Sequence, residues 1–299
     1  MALYDGPIVD AHHHLWRYRP EAYPWLAADD DPRLRRDQTD ADYFAAARGA
    51  PISASVWVEA LHKDPLAEAA EALALAADHE GLAAGLVAHA PLDADDIEDR
   101  LDALMATAPR VVGVRDIVAC RPGHNNFCRS VDLLERPAFA RGLEACRRRG
   151  LVFDLLLEPW QMQAALAATD RLPGLKVAIE HAGSPDFRAK ETTVFWRAAM
   201  AEAARRPDIF VKISALHCRM PGWTDARLSQ EIRFLVQCFG PQRLALASDF
   251  PTHDRTTPAW RAWESFRAAV ADLSPSEQRA MFRDSAISLY GLGRFGPRA

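Results

Sequence analysis

The sequence predicts an α/β protein that folds as one (β/α)8 barrel, a TIM barrel, with a C-terminal helix and extended loops at one end. Three observations support this prediction: eight short apolar runs, a helical pattern after most of them, and a chain of 299 residues. Barrels of this kind commonly form one domain of about 250 residues. We therefore expect residues 1–299 to form a single domain.

The predicted strands are almost continuously apolar and do not alternate, which is typical of parallel strands buried on both faces. Most of them are rich in Val, Ile, Leu or Phe. The eight runs cover residues 7–11, 52–58, 82–88, 111–114, 151–157, 175–179, 209–213 and 243–247.

Segments with helical character lie between these runs, at residues 65–73, 94–107, 137–149, 160–169, 193–205, 225–239 and 257–270. Asp64 and Pro65 suit the N-cap and first turn of the first helix. Gly150 follows three arginines and is a typical helix end. A terminal helix is predicted to begin at Ser274 and to run through Tyr290.

Strands that alternate with helices imply right-handed βαβ units and a parallel sheet. Eight such units favour a closed barrel over an open, Rossmann-like sheet, and no GxGxxG motif follows any predicted strand. No linker or internal repeat divides the chain.

The composition excludes several classes of protein. The chain is 49% hydrophobic and 26% charged, as soluble globular proteins are, and its formal net charge of −5 disfavours nucleic acid as a partner. No apolar run approaches the roughly 20 residues of a membrane span, and the N-terminus lacks a signal-peptide pattern. Five cysteines without a CxxC motif indicate reduced thiols. We expect a cytoplasmic protein with no nucleic acid or membrane partner.

Polar residues are concentrated just after the predicted strands, where barrels of this kind carry their chemistry. Seven of the ten histidines follow a strand: residues 12, 13, 14, 62, 89, 181 and 217. In the run Asp10-Ala11-His12-His13-His14, strand geometry places His12 and His14 on one face, about 7 Å apart. Together they can bind one metal ion or hold one substrate oxygen, with His181 and Asp249 converging from across the barrel. The alternative is a chance cluster of histidines with structural partners.

Five segments carry a family resemblance, at residues 10–16, 23–26, 179–185, 211–214 and 243–251. In this order they resemble the amidohydrolase-2 family over nearly the whole chain. More narrowly, they are similar to its sugar-lactonase-like branch, of the L-fuconolactonase and L-rhamnonolactonase type. A related branch hydrolyses 2-pyrone-4,6-dicarboxylate.

The resemblance implies a barrel hydrolase with Asp249 as general base, which activates water to attack a lactone carbonyl. His12, His14 and His181 would polarise the carbonyl oxygen, directly or through a metal ion. Arg115 matches an arginine that acts on substrate in this branch.

The same residues, His12, His14, His181 and Asp249, could hold one divalent ion, with zinc the best match. Two-metal members of the superfamily also use a carbamylated lysine, but Arg115 and Glu158 stand after the fourth and fifth strands here. A two-metal site is therefore not expected. Whether one ion is bound or none stays open, because related lactonases are held to work without metal.

The remaining candidates are expected to contact substrate: Glu59, Arg115, His124, Trp160, His217 and Arg219. Arginine forks bind carboxylates well, so a carboxylated lactone is a candidate substrate beside a sugar aldonolactone. Some of these residues, and two neighbouring loop arginines, have plainer alternatives. Glu59 could pair with a nearby arginine, the loop arginines Arg121 and Arg129 could be solvated, and Trp160 could anchor its loop.

Hydrolysis of a small-molecule lactone is the leading hypothesis for function. A zinc-dependent decarboxylase or a lactone isomerase of the same fold is the nearest alternative, and a non-catalytic binding barrel is the alternative from another class. No GxSxG motif supports a serine hydrolase. A homo-oligomer is compatible with the sequence, which does not specify one.

Overall fold

The computed structural model describes residues 3–121 and 127–294, and it confirms the barrel. Eight strands pair in parallel and in sequence order from β1 to β8. Each overlaps one of the predicted apolar runs. The strands are β1 Ile8–His13, β2 Ile52–Val58, β3 Gly85–His89, β4 Val111–Arg115, β5 Val152–Leu155, β6 Val177–Ile179, β7 Ile209–Ile213 and β8 Leu244–Leu246.

Backbone hydrogen bonds just beyond β8 complete the ring with β1. The amide of Asp249 donates to the carbonyl of His12 at 2.9 Å, and the amide of His14 donates to the carbonyl of Phe250 at 2.7 Å. The buried carboxylate of Asp10 adds a third link by accepting from the amide of Ser248 at 2.9 Å. The seam that closes the barrel therefore runs through the candidate residues of the first and last strands.

The helices surround this sheet, and the predicted helical segments are confirmed with small shifts at their ends. The α-helices are α1 Pro24–Ala28, α2 Asp40–Ala47, α3 Pro65–Leu75, α4 Ile97–Thr107, α5 Pro137–Arg148, α6 Met162–Thr169, α7 Lys190–Ala203, α8 Leu216–Arg219, α9 Asp225–Phe239, α10 Ala259–Ala269, α11 Pro275–Arg279 and α12 Ser285–Tyr290. A π-helical turn at Ala280–Asp284 joins the last two. Short 3-10 turns lie at Leu133–Glu135, Pro159–Gln161, Glu180–Gly183, Pro241–Arg243, His253–Arg255 and Leu292–Arg294.

The sequence did not predict α1, α2 and α8, which lie in the loops after β1 and β7. Helix α2 is nevertheless encoded locally, since the Thr39 side chain and Asp42 form a capping box at its start. Helix α8 spans only four residues, too few for a periodic pattern to be recognised.

The predicted terminal helix closes the opposite end of the barrel. Leu289 and Tyr290 of α12 are buried in one cluster with interior strand residues such as Val9 and Val56. Lys176, just before β6, donates from its Nζ to the carbonyl of Ser288 at 2.6 Å. These contacts fill the amino-terminal end of the barrel.

Two further findings bear on the environment of the protein. No helix within the described ranges is long and apolar enough to cross a membrane. The cysteines are free thiols: Cys120, Cys128, Cys146, Cys218 and Cys238.

Candidate active site

A cavity of about 600 Å³ opens at the carboxyl ends of the strands. Five of the predicted residues line it, namely His14, Arg115, His181, Arg219 and Asp249. His12 lies fully buried directly beneath, with its ring centroid 4.9 Å from that of His181. The structure therefore brings together residues that are up to 237 positions apart in the chain.

The histidines of β1 alternate as extended backbone requires. His12 and His14 point to the same side, with their Nε2 atoms 3.1 Å apart. His13 points away and forms a hydrogen bond from its Nε2 to Ser55 Oγ at 2.8 Å, with its ring against Tyr43. Only the first and third histidines of the cluster can therefore take part in chemistry at the cavity.

In each of the two rings, the oxygen that lies near Nδ1 determines which nitrogen carries the proton. His14 Nδ1 is 2.7 Å from the carbonyl oxygen of Val58, so it donates and carries the proton. His12 Nδ1 is 3.3 Å from Glu180 Oε1, which favours a proton on that nitrogen as well. Both Nε2 atoms then present lone pairs to the same point.

Asp249 follows β8 and faces that point. Its Oδ1 lies 3.6 Å from His12 Nε2 and 3.7 Å from His14 Nε2. The backbone of Asp249 is left-handed, with φ of 54°, which is uncommon outside glycine and is found mainly at turns and functional sites. Burial raises the pKa of Asp249, but the nearby imidazoles of His181 and His14 lower it by more. The carboxylate is therefore ionised at neutral pH.

His181 approaches from the end of β6. It and Ala182 have left-handed backbones, with φ of 50° and 52°, so the chain turns sharply here. His181 Nδ1 and Ser214 Oγ, at the end of β7, form a hydrogen bond of 2.8 Å. Burial lowers the pKa of His181 to about 4, although the charges of Asp249 and Glu180 act in the opposite direction. His181 is therefore neutral at neutral pH.

A buried network of charges supports the histidines from below. Arg115 donates from Nε to Glu59 Oε1 at 2.5 Å and from Nη1 to Glu180 Oε2 at 3.0 Å. Lys212 donates to the other oxygen of Glu180 at 3.0 Å and also pairs with Asp154. Glu180 is thus held between two cations while its Oε1 faces His12. The contact of Glu59 with Arg115 is the plainer alternative that the sequence left open.

Sequence reasoning did not assign a role to Glu180, Lys212 or Asp154. One signal was available, because each is a charged residue inside or next to an otherwise apolar strand. All three are fully buried, and buried charges in proteins are paired or bind metals.

The ligand atoms at this point suit a metal ion. His12 Nε2, His14 Nε2 and Asp249 Oδ1 lie within 4.8 Å of one another. Their separations of 3.1, 3.6 and 3.7 Å are close to the roughly 3.4 Å between neighbouring ligands of tetrahedral zinc. His12, Glu180 and His181 form a second such group, but Glu180 is already engaged with Arg115 and Lys212. One ion, not two, fits the arrangement.

The other predicted substrate contacts are placed differently. His217 is 2% exposed and packs between Trp223 and His253, away from the residues that line the cavity. Trp160 is 46% exposed, and its Nε1 donates to the carbonyl of Cys120 at 3.2 Å, so it too lies outside the lining. His124 falls within 122–126, outside the described residues.

Other residues complete the cavity wall. Trp25 and Phe127 meet edge to face with centroids 5.8 Å apart and form an aromatic part of the wall. Trp25 also has a structural role. Its Nε1 does anchor the loop, by donating to the carbonyl of Ala60 at 2.6 Å, and its ring also borders the cavity.

A protein-family model described as "Amidohydrolase" matches residues 9–292. Among curated proteins, an L-fucono-1,5-lactonase of Burkholderia multivorans is 28% identical over 95% of this chain and 96% of its own length. An L-fucono-1,5-lactonase of Burkholderia ambifaria is 26% identical over 96% of each chain.

Solved structures show the same likeness. A crystal structure of an amidohydrolase from Burkholderia multivorans with bound zinc has a TM-score of 0.83 and 25% identity, covering 96% of this chain and 99% of that one. A putative 2-pyrone-4,6-dicarboxylic acid hydrolase from Pseudomonas putida shares the fold, with a TM-score of 0.72 and 22% identity over 96% and 98% of the two chains.

Proposed function

Because this chain belongs to the amidohydrolase family and is a hydrolase, we propose that it opens the ester ring of a small lactone. The observation that carries the proposal is the carboxylate of Asp249, which faces the Nε2 atoms of two histidines at the floor of the cavity. The relatives named as L-fucono-1,5-lactonases, similar over nearly the whole chain, support the same reaction. The substrate is a sugar aldonolactone or a carboxylated lactone.

In the proposed mechanism, Asp249 acts first as general base. It takes a proton from water while the water oxygen forms a bond to the lactone carbonyl carbon. The carbonyl oxygen becomes an oxyanion in the tetrahedral intermediate. Collapse of this intermediate breaks the ring C–O bond, and Asp249 returns the proton to the departing alkoxide. The product is one open-chain hydroxy acid.

Polarisation of the carbonyl is assigned to His12, His14 and His181. His181 is neutral and can keep a proton on Nε2 when Nδ1 accepts from Ser214, so it can donate a hydrogen bond to the oxyanion. His12 and His14 both present lone pairs, which suits binding of a cation better than direct donation to oxygen.

We therefore propose that His12, His14 and Asp249 hold one divalent ion, zinc in the first instance, with His181 beside it. A bound zinc ion would act as a Lewis acid and lower the pKa of water at the site. The buried Glu180 maintains the orientation of the His12 ring through its Nδ1 side.

The proposed location is cytoplasmic, in agreement with five free cysteines, and the proposed partner is the small-molecule substrate. A net charge of −5 supports the expectation that nucleic acid is not a partner.

A screen of sugar and dicarboxylate lactones, monitored by proton release, tests the function. We expect at least one lactone to be hydrolysed well above its spontaneous rate. We expect this activity to be lost when Asp249 is substituted. Carbon dioxide release from an aromatic carboxylic acid without any lactone hydrolysis would instead establish the decarboxylase alternative. Binding of a lactone without turnover, after the protein is supplied with zinc, would establish the binding barrel.

A further inference from the structure

Five arginines line the cavity, and four of them have a carboxylate partner. Arg115 pairs with Glu59 and Glu180, Arg121 with Glu158, Arg188 with Asp186, and Arg255 with Asp29. The fifth is Arg219, at the end of α8 after β7. Among the residues that the structure describes, none lies within hydrogen-bond or ion-pair distance of its guanidinium.

This lack of a partner is unusual for the position of Arg219. Its side chain is partly withdrawn from solvent, and burial lowers its pKa although the charges of Glu158 and Cys218 act to raise it. A guanidinium has five N–H donors and loses hydration at a cost unless a carboxylate or similar acceptor replaces the water. Arg219 is therefore a binding group that has no counterion among the described residues.

Arg219 lies in the same cavity as the proposed catalytic residues, and this limits the size of the molecule that it can bind. Arg219 and Asp249 line the same cavity, and the charge of Asp249 also acts on Arg219. One small molecule can thus reach both groups. A planar fork of N–H donors matches the two oxygens of a carboxylate, whereas an uncharged sugar hydroxyl can occupy only part of it.

We propose that Arg219 binds a carboxylate of the substrate, so that the enzyme selects lactones with a carboxylate outside the ester ring over uncharged lactones. This inference rests on the proposed lactonase function and narrows its substrate class. It separates this chain from an enzyme whose preferred substrate is a neutral sugar lactone.

Matched pairs of lactones test the selection. The δ-lactone 6-oxotetrahydropyran-2-carboxylate and the γ-lactone 5-oxotetrahydrofuran-2-carboxylate are each compared with their primary carboxamides. For the native protein, kcat/KM is expected to be about 10- to 100-fold higher for the carboxylate, the range given by charged hydrogen bonds. In Arg219→Gln this ratio should fall to near one, and in Arg219→Lys it should be intermediate. Arg188→Gln is the control, because its guanidinium is already paired with Asp186, and it should keep the native ratio.

Binding of inert analogues separates failure of this inference from failure of the proposed function. Tetrahydropyran-2-carboxylate and its carboxamide have no ester, so calorimetry measures their affinity without turnover. If no lactone is hydrolysed, carboxylate binding that weakens at least tenfold in Arg219→Gln still supports the subsite. The inference is overturned if the native protein and Arg219→Gln bind tetrahydropyran-2-carboxylate with equal affinity. It is also overturned if the native kcat/KM does not favour the carboxylate over the carboxamide. Neither result would contradict lactone hydrolysis itself.

Discussion

His12 and His14 hold their Nε2 atoms 3.1 Å apart, and the other nitrogen of each ring faces an oxygen of the protein. The carbonyl of Val58 orients the His14 ring through a hydrogen bond, and the carboxylate of Glu180 lies 3.3 Å from Nδ1 of His12. Both lone pairs are thereby directed to one point, near Asp249 Oδ1. Partners behind the ligands commonly orient metal-binding histidines in this way.

One divalent ion per chain is expected in protein prepared with zinc, because this point gathers two imidazole nitrogens and a carboxylate oxygen. His14→Ala removes one ligand and should weaken zinc binding by more than tenfold. Metal analysis after dialysis and calorimetric titration with zinc measure the change. His79→Ala is the control, since His79 lies at the surface beside Asp40 and should leave zinc content unchanged. Stoichiometric zinc in His14→Ala would contradict the assignment.

Asp249→Asn is expected to lower kcat for lactone hydrolysis by about 10²- to 10⁴-fold, the range for loss of a general base. Asparagine tolerates the left-handed backbone at this position, so the fold should persist. Steady-state kinetics measure kcat, and a thermal melt shows whether the fold persists. Asp254→Asn is the matched control, because the Asp254 carboxylate accepts from the amide of Ala259 and lies outside the cavity lining. Turnover near the native rate in Asp249→Asn would reject the mechanism.

Stability is expected to decline as the pH falls below about 6.5, in part because of His217. Burial lowers the pKa of His217 to about 3, and within residues 3–121 and 127–294 neither ring nitrogen has a hydrogen-bond partner. Between about pH 3 and about pH 6.5, the unfolded chain binds a proton on this histidine that the folded chain does not bind. The free energy of unfolding therefore decreases as the pH is lowered through this range. One such histidine contributes a slope of up to about 1.4 kcal/mol per pH unit.

His217→Phe should therefore reduce that slope by up to this amount, as measured by urea unfolding between pH 4.5 and 7.5. Phe266→Leu, in the same aromatic cluster, serves as control. It should change stability at every pH without changing the slope. An unaltered slope in His217→Phe would show that His217 is not held neutral in the fold.

Lys212→Met is expected to destabilise the protein by about 3–5 kcal/mol, because it takes the paired cation away from the buried carboxylate of Asp154 and removes one of the two cations beside Glu180. Lys212 is fully buried between Asp154 and Glu180. The double variant Lys212→Met/Asp154→Asn should recover part of this loss, since it removes one of the uncompensated charges. Urea unfolding at neutral pH measures each value, with Lys190→Met at an exposed helix position as the control. A loss below 1 kcal/mol in the single variant would count against the network.

Much of the fold could be predicted because its signals are local. Apolar runs such as residues 209–213 identify buried strands, and Pro65 and Gly150 mark helix boundaries. The alternation of His12 and His14 follows from the two-residue period of a strand. A pairing of Glu59 with a nearby arginine could be raised as an alternative. The arginine involved, Arg115, and its second partner, Glu180, could not be predicted, since they lie 56 and 65 residues from the other member of each pair.

The sequence by itself determined the order of strands and helices, and it placed the polar residues at strand ends, because both depend on short-range periodicity. Only the tertiary structure decided which of those residues face the cavity. His217 and Arg219 illustrate the reason: both were predicted to contact substrate, yet they lie in the short helix α8. Residues two apart on a helix point in roughly opposite directions, about 200° apart, whereas on a strand they would share a face. His217 is therefore buried against Trp223, and Arg219 lines the cavity with no counterion in the part of the chain that the structure describes.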